Sequence, residues 1–286
     1  MNVDITAKTK VLCVIGDPIE HSVSPKMHNA VLKELCLDYV YIAFKVKKEN
    51  LKEAVQGFKS LGIQGINVTI PHKVDIMQYL DEIDPTAMKI GAINTIKNEN
   101  GYLKARNTDG EGALKSLLDN GYNPKGKKIT IIGAGGASRA ISFFIAQHAS
   151  ELTIFDINSE LSHKLATNLS QFYSIPIKSY PLTDEKLKYE IETSDLLINT
   201  SPIGMYPKIE ESPVSKEMLH QKLTVFDIVY NPIQTRLLKD AKELGCKCIP
   251  GIDMFVNQGA IAFEWWTGKK PNIDLMKQEV IKALNI

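Results

Sequence analysis

Lys73 closes the run Asn67-Val68-Thr69-Ile70-Pro71-His72-Lys73, and its type and place are the first hint of acid/base chemistry in the chain. The two-residue period of a strand points Asn67 and Thr69 to one face. A lysine just past them, at a strand end where α/β proteins bind ligands, is a candidate proton donor. It also stands at the opening of an expected helix, where the helix dipole disfavours a cation, so a solvated surface lysine is the competing reading. The second stretch with chemical content is Gly133-Ala134-Gly135-Gly136-Ala137. It follows the β-branched run Ile129 to Ile132 and leads into an apolar helical stretch, Arg139 to Gln147, then a strand, Leu152 to Phe155, that ends in Asp156. Bare backbone at the positive end of a helix suits a pyrophosphate. Ser138 stands where G-x-G-x-x-G would end, but Asp156 lies about 20 residues on, as the dinucleotide fingerprint expects. A tight turn in some other α/β protein is the alternative.

The elements that must position these groups alternate along the chain. Lys10 to Ile15 reads as a strand broken by Gly16-Asp17-Pro18, and Pro25 to Leu37 as a helix, with Ser24 as its cap before a proline in the first turn. Asp38 to Val46 alternates as a strand, Glu49 to Leu61 is an amphipathic helix, and Gln64 to Ile70 is a third strand. Asp84-Pro85 opens a short helix, and Ala92 to Ile96 with Tyr102 to Arg106 flanks a hairpin turn at Glu99-Asn100-Gly101. Thr108 with Glu111 fits a capping box, and Asp109 could equally cap the helix to Asp119, which reads as a hinge between domains. After Asp156 come a helix from Ser159 to Tyr173, a strand near Ile177, a helix from Asp184 to Ile191 and the strand Asp195 to Asn199. Cys246 to Ile249 reads as the last strand, before helices at Asp253 to Trp266 and Ile273 to Leu284. Gln258, inside the first of these, is by default solvent-facing or tied to a backbone group. The expected fold is α/β in two domains, the second a doubly wound sheet.

The 286 residues suffice for two domains, and 44% hydrophobic with 23% charged residues are globular values. A net charge of +1 gives no reason to expect nucleic acid or a membrane surface as partner. Cys13, Cys36, Cys246 and Cys248 lack metal spacing and read as reduced thiols; no metal site is expected. The start MNVDITAKTK has neither the apolar core of a signal peptide nor the arginines of a transit peptide, which places the protein in the cytoplasm.

Four separated motifs together resemble the shikimate dehydrogenase family, including its quinate/shikimate branch. They are Ser22-Val23-Ser24-Pro25; Asn67 to Lys73; Gly91-Ala92-Ile93-Asn94-Thr95 with Asn107-Thr108-Asp109-Gly110; and the pair Gly133 to Ala137 and Asn257-Gln258-Gly259-Ala260. The resemblance implies a substrate-binding domain with an open sheet, residues 1–108 plus 254–286, and a Rossmann-like dinucleotide-binding domain, residues 109–253, with the C-terminal helices returning to the first. It implies that Ser22 and Ser24 hold the substrate carboxylate, that Asn67, Thr69, Asn94, Asp109 and Gln258 hold ring hydroxyls, and that Lys73 and Asp109 are the catalytic pair. The cofactor would lie along Gly133, Ala134, Gly135, Gly136 and Ala137, with Asp156 and Asn158 at its ribose. Ser201, Met205, Tyr230, Gly251 and Met254 would stand near the nicotinamide, Tyr230 also counting among the substrate-binding residues. The implied reaction is hydride transfer between NAD(P) and the ring carbon that is a ketone in 3-dehydroshikimate and an alcohol in shikimate, a step of aromatic amino acid biosynthesis. Domain closure, with Asp109 arriving from the hinge, would assemble the site around bound ligand. The implied assembly is a monomer or homodimer.

One departure stands out. Many NADP-using members place Asn-Arg-Thr after the second nucleotide-domain strand, the arginine gripping the 2′-phosphate; here Asp156-Ile157-Asn158 takes that place. A carboxylate accepts hydrogen bonds from ribose hydroxyls and repels a phosphate, so NAD is expected over NADP. Two alternatives stay open: a quinate/shikimate dehydrogenase oxidising quinate to 3-dehydroquinate, and a non-catalytic NAD-binding regulatory module on the same fold.

Overall fold

The computed structural model describes residues 5–284; the first four residues of the start read above for leader signals lie outside them. The chain divides into two compact units, Met1–Asp109 with Val256–Ile286, and Gly110–Phe255. The sequence boundaries at 108/109 and 253/254 differ from this division by one or two residues.

In the first unit β1 (Lys10–Gly16), α1 (Ser24–Glu34), β2 (Tyr39–Lys45), α2 (Leu51–Ser60) and β3 (Gly65–Val68) come first. β4 (Glu82–Ile83), α3 (Pro85–Ile90), β5 (Thr95–Glu99) and β6 (Tyr102–Arg106) complete a six-stranded sheet of order β2-β1-β3-β5-β6-β4. β1 pairs in parallel with β2 and β3, while β5 runs antiparallel to β3 and β6. Asn100 and Gly101 take positive φ (55° and 90°) in the β5–β6 turn, the conformation a tight hairpin requires. Cys13, Ile15, Val55, Phe58, Ile66, Ile96 and Leu103 pack into one core.

The second unit opens with α4 (Asp109–Asp119) and continues through β7 (Lys128–Ile132), α5 (Gly136–Ala146), β8 (Glu151–Asp156), α6 (Ser159–Ser170), β9 (Ile177–Pro181), α7 (Asp184–Glu192) and β10 (Leu196–Asn199). β11 (Thr224–Asp227), α8 (Arg236–Glu243) and β12 (Lys247–Pro250) follow, then α9 (Gly251–Thr267), whose residues from Val256 on belong to the first unit, as does α10 (Ile273–Leu284). Its six strands are all parallel in the order β12-β11-β10-β7-β8-β9. That is the doubly wound dinucleotide-binding order, reversing direction between β7 and β10, where such sheets take their ligand. The near-continuous apolar runs of β7, β8 and β10 are what a sheet covered on both faces demands.

Three local expectations are corrected. Ser24 is not the N-cap of α1; Val23 holds that position without a side-chain bond, and Ser24 is a buried first-turn residue. β3 stops at Val68, so Thr69 lies just past the strand, because the antiparallel register with β5 ends at Asn67 opposite Thr95. Lys73 does not open an α-helix: it sits in a turn ahead of the short 3-10 helix Asp75–Tyr79. Without a regular helix there, the dipole penalty weighed against Lys73 falls away.

Two predictions belong to this unit's packing. A Cβ built on Gly65 would come within 2.7 Å of three ring atoms of Trp266, whose Nε1 donates to the Ile96 carbonyl at 2.9 Å. Gly65→Ala is expected to cost about 1–3 kcal/mol through this overpacking, read as a lowered melting temperature. His28 is buried, stacks on Tyr41 at 4.3 Å between ring centroids, and its Nδ1 has no hydrogen-bond partner among the described residues. Burial pushes its pKa down to about 3, below the 6.5 of an exposed imidazole. The unfolded chain therefore takes up this proton first: the stability is complete above pH 6.5 and is lost as pH falls toward 3. Between pH 6.5 and 5 the loss is about 2 kcal/mol, at about 1.4 kcal/mol per unit. Urea midpoints at the two pH values should differ less in His28→Phe, which keeps the stack; equal pH dependence in both proteins would refute the assignment.

Candidate active site

The end of β3 and the turns after it carry a continuous polar network. Lys73 Nζ meets Asp109 Oδ2 at 2.5 Å, with the lysine side chain 14% and the aspartate 6% exposed. The other carboxylate oxygen accepts from Asn94 Nδ2 at 2.8 Å. Asn94 also donates to Thr108 Oγ1 (2.9 Å) and Gln258 Oε1 (3.4 Å), and its own Oδ1 accepts from Thr108 N–H (2.8 Å) and Thr95 Oγ1 (2.9 Å). Asn67 joins through Nδ2, which reaches Thr95 Oγ1 and the Asn94 carbonyl at 3.3 Å, while its Oδ1 accepts from the Tyr41 hydroxyl at 2.7 Å. Burial raises the Tyr41 hydroxyl well above its usual pKa, so it acts as a donor; it also meets the Ser24 side chain. Ser22 Oγ accepts from the Ser24 N–H at 3.4 Å.

Of the expected substrate residues, Ser22, Ser24, Asn67, Thr69, Lys73, Asn94, Asp109 and Gln258 all fall in the first unit. Thr69 packs its methyl where Gly16 leaves room: a Cβ on Gly16 would lie 2.5 Å from Thr69 Cγ2. Lys73 and Asp109 pair inside one unit. Thr108 engages Asn94 through Oγ1, and Asp109 turns its carboxylate to Lys73 and Asn94, so long-range partners take the groups read as caps. Gln258 is half-buried and contacts a side chain, not only backbone. Sequence reasoning missed Tyr41, Thr95 and Thr108 as network members. Tyr41 sits in a strand of ordinary β composition, and nothing local marks it.

The cofactor residues lie in the second unit. Gly133 has φ +104°, and a Cβ on it would strike Thr200 Oγ1 at 2.6 Å and Ser201 N at 3.0 Å, so two turns meet at the point where the strand order reverses. Gly135 opens onto free space and α5 starts at Gly136, an 11-residue helix whose first amides face the turn. This uncluttered backbone fits a pyrophosphate. Ala134 is buried and Ala137 half-buried. Asp156 Oδ2 accepts from Ala134 N–H at 2.7 Å and Oδ1 from Asn158 N–H at 2.8 Å, which pins the carboxylate beside the glycine turn. Ile157 is 85% exposed. The Asn158 side chain caps α6, accepting from the N–H groups of Glu160 and Leu161. Ser201 donates to Asn199 Oδ1 at 2.7 Å, and Met205 is exposed. Tyr230 stacks on Phe255 at 4.2 Å, and burial pushes its hydroxyl up to about 12. Gly251 has no room for a Cβ, 2.4 Å from the Ile228 carbonyl. Met254 is buried in the core with Ile131 and Ile198.

No group of three or more metal-ligating side chains occurs among the described residues, and no helix among them is long and apolar enough to cross a membrane.

The arrangement matches known proteins over its whole length. Residues 14–96 match the shikimate dehydrogenase substrate binding domain, and residues 251–281 the shikimate 5′-dehydrogenase C-terminal domain. The shikimate dehydrogenase (NADP(+)) of Methanocaldococcus jannaschii is 46% identical over 98% of this chain and 99% of that one. A crystal structure of a shikimate dehydrogenase in complex with NADP+ superposes with a TM-score of 0.91 at 45% identity, covering 98% of each chain. That of shikimate 5-dehydrogenase from Listeria monocytogenes, in complex with shikimate and NAD, gives 0.88 at 39% identity over 96% of this chain and 97% of that one. With nearly the whole chain covered by relatives of this identity and by solved structures of the same fold, the chain belongs to the shikimate dehydrogenase family.

Proposed function

We propose that the protein interconverts shikimate and 3-dehydroshikimate by hydride transfer, with NAD preferred over NADP. The observation that carries this reading is the Lys73–Asp109 pair, buried and held by Asn94 next to Asn67 and Gln258. Bound nicotinamide supplies the hydride donor or acceptor. Reduction of a ketone builds negative charge on its oxygen, and an ammonium stabilises that charge and donates the proton that completes the alcohol. Lys73 is that ammonium; in the oxidation direction its neutral amine takes the hydroxyl proton back. Asp109 keeps Lys73 oriented and accepts a hydrogen bond from a second ring hydroxyl. Asn94 donates to Asp109 and thereby fixes which carboxylate oxygen faces the lysine. Ser22 and Ser24 offer hydroxyls to the carboxylate, with Ser24 steadied by Tyr41.

In the second unit the glycine turn cradles the pyrophosphate and Asp156 accepts from the adenosine ribose hydroxyls. The fixed carboxylate and the aliphatic Ile157 favour a ribose without a 2′-phosphate.

Initial rates with shikimate and quinate, each with NAD and with NADP, test the proposal. Shikimate with NAD should be fastest. A faster rate with quinate would replace the substrate assignment, and no turnover in all four would leave a regulatory NAD-binding module.

A further inference from the structure

A second buried cluster lies under the turns of the nucleotide unit, and the proton-transfer scheme makes no use of it. Asp227, Asn199 and Thr235 are each 0% exposed. Asn199 ends β10 and Asp227 ends β11. Asp227 Oδ1 accepts from Asn199 Nδ2 at 2.9 Å and from Val229 N–H at 3.1 Å; Oδ2 accepts from the Thr235 hydroxyl at 2.6 Å. Asn199 in turn accepts through Oδ1 from both the N–H and the hydroxyl of Ser201, at 3.0 and 2.7 Å.

Two turns are thereby tied to one carboxylate: residues 200–206, which carry Ser201 and Met205, and residues 228–235, which carry Tyr230. Backbone bonds run between them, from Ile228 N–H to the Asn199 carbonyl (3.1 Å) and from Tyr206 N–H to the Asn231 carbonyl (3.0 Å). A third segment leans on the same place, since Gly251 sits against the Ile228 and Val229 carbonyls with no room for a Cβ. On the other side Gly133 is pressed against Thr200.

We propose that Asp227, through Asn199 and Thr235, is a positioning residue that holds the two turns bearing Ser201 and Tyr230 in register for the nicotinamide half of the cofactor. The inference rests on the dinucleotide reading of this unit. A cluster serving stability alone would be replaceable by apolar side chains of similar shape, because a buried carboxylate carries a desolvation cost that three donors only partly offset. That cost is visible in the carboxyl's pKa, pushed up to about 6 by burial. Here Val229 and Thr235 donate from two points of one turn and Asn199, which holds Ser201 of the other, donates from a strand end, so one anion sets the spacing of both turns.

The test compares Asp227→Asn, Thr235→Val and Thr235→Ser with the wild type in three readouts: NADH affinity by fluorescence titration, steady-state kinetics, and melting temperature. Asp227→Asn removes the negative charge that strengthens all three bonds and leaves one accepting oxygen in place of two, and Thr235→Val removes one donor. Both should weaken NADH binding and lower kcat by about tenfold or more, with KM for shikimate changed by less than about twofold. Thr235→Ser, which keeps the hydroxyl, should restore both. Melting temperatures that fall while NADH affinity and kcat of the folded variants stay at wild-type values would overturn the proposal, as would Thr235→Ser behaving like Thr235→Val. Should the wild type bind NADH but turn over neither shikimate nor quinate, the dehydrogenase reading fails and the titration alone decides the role of Asp227.

Discussion

Lys73→Ala is expected to lower kcat for shikimate oxidation about 1,000-fold, within the 100- to 10,000-fold typical of a lost general base. KM for shikimate should move far less, because the contacts proposed for Ser22 and Ser24 with the carboxylate, and for Asn67 and Gln258 with the ring hydroxyls, would remain. The variant leaves Asp109 with Asn94 as its remaining partner, so its carboxylate stays hydrogen-bonded, and a melting curve separates lost chemistry from lost fold. Turnover close to wild type with only a raised KM would show that Lys73 binds substrate without transferring its proton.

The second large effect concerns the cofactor. A 2′-phosphate placed about 4 Å from the Asp156 carboxylate meets a repulsion of about 4 kcal/mol per pair of unit charges at an effective dielectric of 20. Hydrogen bonds from an unphosphorylated ribose to Asp156 would add about 1 kcal/mol each. The carboxylate cannot easily swing away, since Ala134 and Asn158 N–H groups hold both of its oxygens. After screening, kcat/KM should favour NAD by about 100-fold. The double variant Asp156→Asn with Ile157→Arg places an asparagine and a cation where a 2′-phosphate would sit and should invert the preference. Equal efficiency with the two cofactors in the wild type would remove Asp156 from this role. The relative from M. jannaschii bears NADP(+) in its name at 46% identity, so the prediction rests on Asp156, which ends β8, with Ile157 and Asn158 after it, rather than on the chain as a whole.

The sequence made legible what is local. The strand before the glycine turn, the helix after it and the strand that ends in Asp156 all form as read because each sits within one βαβ unit, and Asn67 with Lys73 belongs to one short run. What escaped was set by partners far along the chain. Ser24 looks like a cap because serine before proline is one locally, yet its side chain meets Tyr41, 17 positions on. Thr108 and Asp109 likewise fit cap patterns but turn to Asn94 and Lys73. The Asn199–Asp227 bond spans 28 positions and joins the ends of two strands. A polar residue closing each of two buried strands, Leu196–Asn199 and Thr224–Asp227, was the available signal, since a buried polar end needs a partner.

In the proposed reduction, hydride reaches one ring carbon while Lys73 supplies the proton. Reducing 3-dehydroshikimate with NADH carrying deuterium at both positions of nicotinamide C4 tests it most directly. The expected product is shikimate with one deuterium on the former carbonyl carbon, and Lys73→Ala should form the same product far more slowly. Shikimate formed without deuterium, or no shikimate formed by the wild type, would contradict the account.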